Sequence, residues 1–175
     1  MSVEPQRWAT NRSLHGGVHE IVFDGWDGSL WLCGKHFIGP DPRRAIEYVS
    51  ADLVVCLCES PELRDRFPEY VEWLASPSEA VRWWPVPDLH APELEEFVLQ
   101  TEELSSHLRR GSTVLVHCGG GIGRAGTLAT GILMTGGLSL PDAADRVRTC
   151  RPMAGPERGT QEELLRAFAT RLEAN

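Results

Sequence analysis

Residues 114–127 read VLVHCGGGIGRAGT, and this stretch decides the fold. Thr113, Val114, Leu115 and Val116 form the short aliphatic run of a buried strand. Ala125 to Met134 carries neither charge nor proline and reads as a buried helix. Between them, Cys118 and Arg124 bracket Gly119, Gly120, Gly121, Ile122 and Gly123. A glycine-rich turn from a strand into a helix gathers backbone N–H groups around one concavity. The helix N-terminus adds partial positive charge, so the turn is built for an oxyanion such as phosphate. Cys118, at the strand end, faces that field, which predicts a lowered thiol pKa and partial ionisation. Arg124 can grip two phosphate oxygens at once. A nucleophile, a cradle and a clamp within seven residues point to phosphoryl transfer through a cysteinyl-phosphate.

Outward from this stretch, short apolar runs alternate with helical patterns. Strands are predicted at 19–23, 30–33, 53–58, 81–84 and 113–116, and helices at 43–49, 62–74, 92–109, 124–135, 141–150 and 160–173. Pro92 and Pro141 suit first helical turns, while Gly111 and Gly136-Gly137 suit helix ends. The alternation predicts an α/β fold, a central, largely parallel sheet flanked by helices with its site at the strands' C-terminal ends. Residues 1–17 show little pattern and read as an irregular lead-in, leaving 18–175 as a single domain.

The whole chain sets outer limits. Its 175 residues suffice for one domain with a real core, and 42% hydrophobic with 24% charged residues is ordinary globular composition. A net charge of −8 argues against nonspecific nucleic-acid binding and against docking on an anionic membrane. There is no apolar run long enough to span a bilayer and no signal-peptide core in MSVEPQRWATNR. The five cysteines are odd in number and form no Cys-x2-Cys pair, so a reducing cytoplasm is expected, with no metal and no cofactor. Oligomeric state leaves no trace in the sequence.

The loop resembles the His-Cys-x5-Arg signature of the cysteine-dependent protein tyrosine phosphatases, here His117-Cys118 through Arg124. Asp88, in WPVPDLHAP, stands thirty residues before Cys118, where dual-specificity phosphatases carry their general acid. RGTQEELLRAF, after Arg151-Pro152, is similar to the family's late glutamine segment and puts Gln161 in the matching position. Roughly residues 28–173 are most similar in layout to the small dual-specificity group that includes the cyclin-dependent-kinase-associated phosphatase. The resemblance implies a phosphomonoester hydrolase acting on a phosphorylated protein or a small phosphomonoester. Cys118 would attack phosphorus, Asp88 protonate the leaving oxygen, and Gln161 position the attacking water. It also implies that Cys58, at the end of a neighbouring strand, forms a reversible disulfide with the nucleophile; a packed core thiol is the plainer reading.

Other residues keep two readings. Asp88 sits in a Pro-x-Pro-Asp sequence that is also a common turn, with His90 and Glu93 as reserve acids. Gln161 reads equally as a helix-surface residue. His117 is expected to pack behind the loop, since a strand residue beside the nucleophile points to the opposite face. Glu62 reads first as a solvated charge at a helix start and second as a brace for the loop arginine. Trp83-Trp84 are expected to fix the hinge of the acid loop.

Ala125 departs from the family pattern, which places Ser or Thr after the loop arginine to stabilise the departing thiolate. That departure motivates the main alternative, a slow pseudo-phosphatase or phosphopeptide-binding module. Thr127 lies further round the helix. Two other rivals share the same residues. Gly121 to Gly126 spells G-x-G-x-x-G, yet the acidic residues expected about twenty positions on, Asp142 and Asp145, fall in a helical pattern rather than at a strand end. A sulfur transferase also uses a loop cysteine, but Arg124 and the Asp88 loop favour phosphate. The loop has no lysine, which argues against selection for a polyanionic inositol phosphate.

Overall fold

The computed structural model describes residues 3–174. Helices α1 (Val3–Thr10) and α2 (Arg12–His15) precede the antiparallel pair β1 (Val18–Ile21) and β2 (Ser29–Gly34). Then come α3 (Lys35–Ile38), α4 (Pro42–Val49), β3 (Leu53–Cys56), α5 (Ser60–Arg64), α6 (Pro68–Ala75) and β4 (Val81–Trp83). The long α7 (Leu94–Arg109) leads into β5 (Thr113–Cys118), followed by α8 (Gly123–Thr135), α9 (Leu140–Cys150) and α10 (Thr160–Glu173).

The strands lie in the order β1-β2-β5-β3-β4, and every pairing except β1 with β2 is parallel. The expected largely parallel sheet is therefore present. β5 occupies the middle and is covered on both faces, which is why it reads as an unbroken aliphatic run rather than an alternation. Its residues nevertheless sort by period two. Val114, Val116 and Cys118 join a core with Phe97 of α7, Leu128 of α8, Val147 of α9 and Phe168 of α10. Leu115 joins the opposite core with Phe37, Val49 and Tyr70 of α3, α4 and α6. The side chains of α8 from Gly123 to Met134 are buried throughout, which accounts for a helix without charges beyond its first turn.

Three expectations change. The predicted 62–74 helix is broken in two, α5 and α6, because Pro68 has no N–H to donate and pushes Phe67 out of the helical region, at φ −132° and ψ 56°. α7 starts at Leu94, so Pro92 belongs to the preceding loop. Residues 3–15, expected to be irregular, are mostly helical. Trp8 stacks on Phe37 at 4.6 Å, and the guanidinium of Arg44 sits 4.0 Å over the Trp8 ring. Aromatic packing against α3 orders a segment whose own sequence pattern is weak.

Candidate active site

β5 ends at Cys118, and α8 begins five residues later at Gly123. The turn between them is held by its carbonyls. Gly119 O accepts from the Lys35 amide at 3.0 Å, Gly120 O from Arg151 Nη2 at 2.9 Å, and Gly121 O from Arg151 Nε at 2.8 Å. A trans peptide points its N–H opposite to its C=O, so fixing these carbonyls outward turns the amides of Gly120, Gly121 and Ile122 inward. The Ile122 and Ala125 amides do meet the Cys118 sulfur. Gly121 has φ +68°, and a Cβ there would stand 2.3 Å from the Cys33 carbonyl, so only glycine fits.

Cys118 is 3% exposed, and burial pushes its thiol above the ordinary value despite the Ala125 and Ile122 amides and the Arg124 charge. The lowered pKa expected from the loop alone is thus reversed. The reason is that burial of the sulfur outweighs the loop amides and the Arg124 charge.

Arg124 is buried and almost fully committed. Nη1 donates to Glu62 Oε2 and to the Val86 carbonyl, both at 2.8 Å, while Nη2 meets Glu62 Oε1 at 2.7 Å and Asp88 Oδ1 at 3.1 Å. Nε is buried without a partner among the described residues. The Nη1 side therefore belongs to the framework, whereas Nε and the outer Nη2 proton form a fork for an incoming anion. Asp88 holds half of that fork.

Glu62 is the brace rather than a solvated charge. Its Oε2 also accepts from the Glu59 amide at 2.7 Å, an N3 carboxylate reaching back to the start of α5. Burial alone would raise its pKa, but the Arg124 hydrogen bonds, the Glu59 amide and the charges of Arg124 and Lys35 together hold it below the usual carboxylate range. A depressed carboxyl stabilises the fold above its ordinary pKa, and that contribution is lost as pH falls through the folded value. Glu62→Gln should therefore cost about 1.5–3 kcal/mol at neutral pH, the range for hydrogen bonds to a charged group. Melting temperatures of variant and wild type should converge on acidification. Curves that stay parallel into acid would remove the Glu62 charge from this account.

The loop that carries Asp88 is anchored where it begins. Trp83 Nε1 donates to the Cys58 carbonyl at 2.8 Å and Trp84 Nε1 to Glu96 at 2.6 Å, which gives the tryptophans the expected anchoring contacts. Asp88 itself is 68% exposed, and its Oδ1 also accepts from the Leu89 amide. Of the reserve acids, His90 has Nδ1 against the Asp88 carbonyl and Glu93 faces solvent at the head of α7.

Gln161 is buried, not a helix-surface residue, and its amide is largely used. Oε1 accepts from the Glu157 amide at 3.0 Å and from Thr127 at 2.9 Å, while Nε2 donates to the His90 carbonyl at 3.2 Å. One amide proton remains for a water; the rest of the side chain tethers the Asp88 loop to α8. Thr127 divides its hydroxyl proton between Gln161 and the Gly123 carbonyl, so it has none for Cys118.

His117 points away from the loop as expected, with Nε2 at 2.6 Å from Tyr70 Oη. Cys58 faces the same way. The Cys56 and Cys58 sulfurs and a His117 ring nitrogen lie within 4.8 Å of one another, a buried set of soft donors able to ligate a thiophilic cation. Cys58 and Cys118 thus belong to opposite cores, and pairing them requires the Cys58 side chain to turn through the sheet. All five cysteines are free.

A family model described as the DSP-PTPase phosphatase domain of Swiss Army Knife proteins, PTP-SAK, matches residues 42–171. The chain belongs to this phosphatase family. The phosphatase is 30% identical to Tk-PTP in its active form, covering 87% of this chain and 97% of that one with a TM-score of 0.65. Two further structures share the fold at lower identity. A kinase associated phosphatase with its catalytic cysteine replaced by serine is 21% identical, covering 84% and 89% of the two chains, TM-score 0.70. PTPMT1 in complex with PI(5)P is 18% identical, covering 90% and 97%, TM-score 0.66. No curated protein matches the chain. Among the described residues, no helix is long and apolar enough to cross a membrane.

Proposed function

We propose that the phosphatase hydrolyses phosphomonoesters on proteins through a cysteinyl-phosphate on Cys118, in a reducing compartment such as the cytoplasm. The observation that carries this reading is the half-open fork of Arg124, with Nε unpartnered and Nη2 bridged to Asp88, beside a sulfur already met by two loop amides. The phosphoryl group of the substrate takes the fork and the amides and releases Asp88 from Arg124; the freed carboxylate takes up a proton from solvent and turns to the leaving oxygen. The buried thiol gives its proton to the bound phosphate dianion and attacks phosphorus as thiolate. The P–O bond breaks, and the leaving oxygen takes the proton of the Asp88 carboxyl. Arg124 and the loop amides stabilise charge on the equatorial oxygens. Water, activated by Asp88 and oriented with help from Gln161, then breaks the S–P bond and returns the thiolate. The lysine-free loop favours a phosphoprotein over the phosphoinositide that PTPMT1 carries.

Ala125 supplies a test. Its amide reaches the sulfur, but its side chain has no hydroxyl, so the departing thiolate lacks one hydrogen bond. A hydrogen bond to a charged atom is worth about 1.5–3 kcal/mol, or about 10–150-fold in the dephosphorylation rate. Rapid-quench hydrolysis of p-nitrophenyl phosphate should show a burst followed by slow turnover. Ala125→Ser should raise kcat and leave kcat/KM nearly unchanged. A wild type without a burst, together with an unresponsive Ala125→Ser, would show that the second step is not limiting and count against the accumulated cysteinyl-phosphate.

A further inference from the structure

Arg151 is 1% exposed and has no carboxylate partner among the described residues. A buried guanidinium without a counter-charge is costly, and its acceptors show what it holds. Nε and Nη2 take the carbonyls of Gly121 and Gly120 in the phosphate loop. Nη1 takes the Gly17 carbonyl at 3.1 Å, the Gly16 carbonyl at 3.3 Å and His19 Nδ1 at 2.7 Å. One side chain thus bolts the loop to the segment that follows α2.

The bolt reaches the nucleophile. The Gly121 carbonyl and the Ile122 N–H belong to one peptide unit, and that N–H meets the Cys118 sulfur. A donor on the carbonyl polarises the peptide and strengthens its N–H as a donor on the other side.

The far side of the bolt is also built. Gly16 and Gly17 both adopt positive φ, +78° and +72°, which lets consecutive carbonyls turn to the same guanidinium. Upstream, Trp8 stacks on Phe37, and His15 packs edge-on to both rings at 5.4 and 5.0 Å. Phe37 lies in α3, whose first amide, at Lys35, holds the Gly119 carbonyl. The carbonyls of Gly119, Gly120 and Gly121 are therefore all fixed by groups that residues 8–17 buttress.

We infer that residues 8–17 form a positioning arm for the phosphate loop, acting through Arg151 and α3 to hold the loop amides on the incoming phosphoryl group. The inference rests on the phosphatase reading of the same loop. The arm touches no substrate atom, and its effect is on oxyanion affinity and on the readiness of Cys118 to ionise.

Trp8 tests the arm from a distance, since its ring partners are His15, Phe37, Tyr48 and Arg44 rather than the loop or Arg151. In the full chain, Trp8→Ala should raise KM for p-nitrophenyl phosphate and weaken tungstate binding by about tenfold each, a coupling of ordinary size between linked sites. kcat should change far less. The pH profile of Cys118 alkylation by iodoacetamide, measured well below the melting temperature, should move to higher pH. Trp8→Phe, which keeps the stack, should restore all three. His19→Leu, removing one Arg151 acceptor inside the sheet edge, should shift tungstate affinity in the same direction. A folded Trp8→Ala protein with unchanged tungstate affinity and an unchanged alkylation profile would overturn the arm. If the wild type shows no Cys118-dependent turnover, the catalytic reading falls, while tungstate affinity and the alkylation profile still decide the arm.

Discussion

Replacing Cys118 with serine is expected to abolish turnover while leaving oxyanion binding intact. The two properties separate because they rest on different groups. Affinity resides in the Arg124 fork and in amides whose carbonyls are fixed by Lys35 and Arg151, and none of these depends on sulfur. Attack on phosphorus needs an anionic nucleophile, and a serine hydroxyl is far too weak an acid to give its proton to the bound phosphate as the thiol does. Loss of the nucleophile should lower kcat by about 10⁴-fold or more, as removal of a catalytic nucleophile does elsewhere. Tungstate binding by calorimetry should stay within a few-fold of wild type, and EDTA should leave wild-type activity unchanged. Substantial hydrolysis by Cys118→Ser, or dependence on added metal, would end the cysteinyl-phosphate mechanism. The same variant, holding phosphorylated substrate without cleaving it, is the tool for finding that substrate in an extract.

What the sequence made legible was local. The strand, glycine turn and helix around Cys118 and Arg124 are encoded within fourteen consecutive residues, so pattern alone located this strand–turn–helix unit. The aliphatic runs of β2, β3 and β5 were readable for the same reason, each strand carrying its own burial signal. For Glu62 the brace is only the second reading, because its partner is sixty-two residues away and a glutamate near a helix start is usually just a favourable surface charge. A hint was present in the Glu59–Glu62 spacing, which marks an ordered helix start. Arg151 reads only as a marker before the glutamine segment: an arginine before a proline at a helix end carries no signal that it is buried under a distant loop. The expected thiolate failed for a related reason. Loop amides and the helix end are visible in the sequence, whereas the burial of Cys118 comes from elements far along the chain. The resemblance implies a water-positioning role for Gln161, whereas its bonds to Thr127, Glu157 and His90 show a tether that resemblance did not describe.

Asp88→Asn should slow hydrolysis by about 10²–10⁴-fold for substrates with poor leaving groups, the usual reach of general acid catalysis. The substitution preserves shape, and an asparagine Oδ1 can still accept from the Leu89 amide, so the loop held by Trp83, Trp84 and Gln161 should keep its course. What is lost is the proton for the leaving oxygen. The penalty should therefore shrink as the leaving group becomes acidic enough to depart unprotonated, and a plot of log kcat/KM against leaving-group pKa should steepen relative to wild type. The structure adds a second, opposite effect. Asp88 now sits 3.1 Å from Arg124 Nη2 and competes with any anion for that half of the fork. Removing its charge should tighten tungstate binding even as catalysis fails. Slower turnover with tighter oxyanion binding is a combination that loop collapse would not produce, since a disordered loop weakens both. Equal losses across all leaving groups, with unchanged tungstate affinity, would take the acid role from Asp88. His90, whose ring already leans on the Asp88 carbonyl, and then Glu93 would be the groups to replace next.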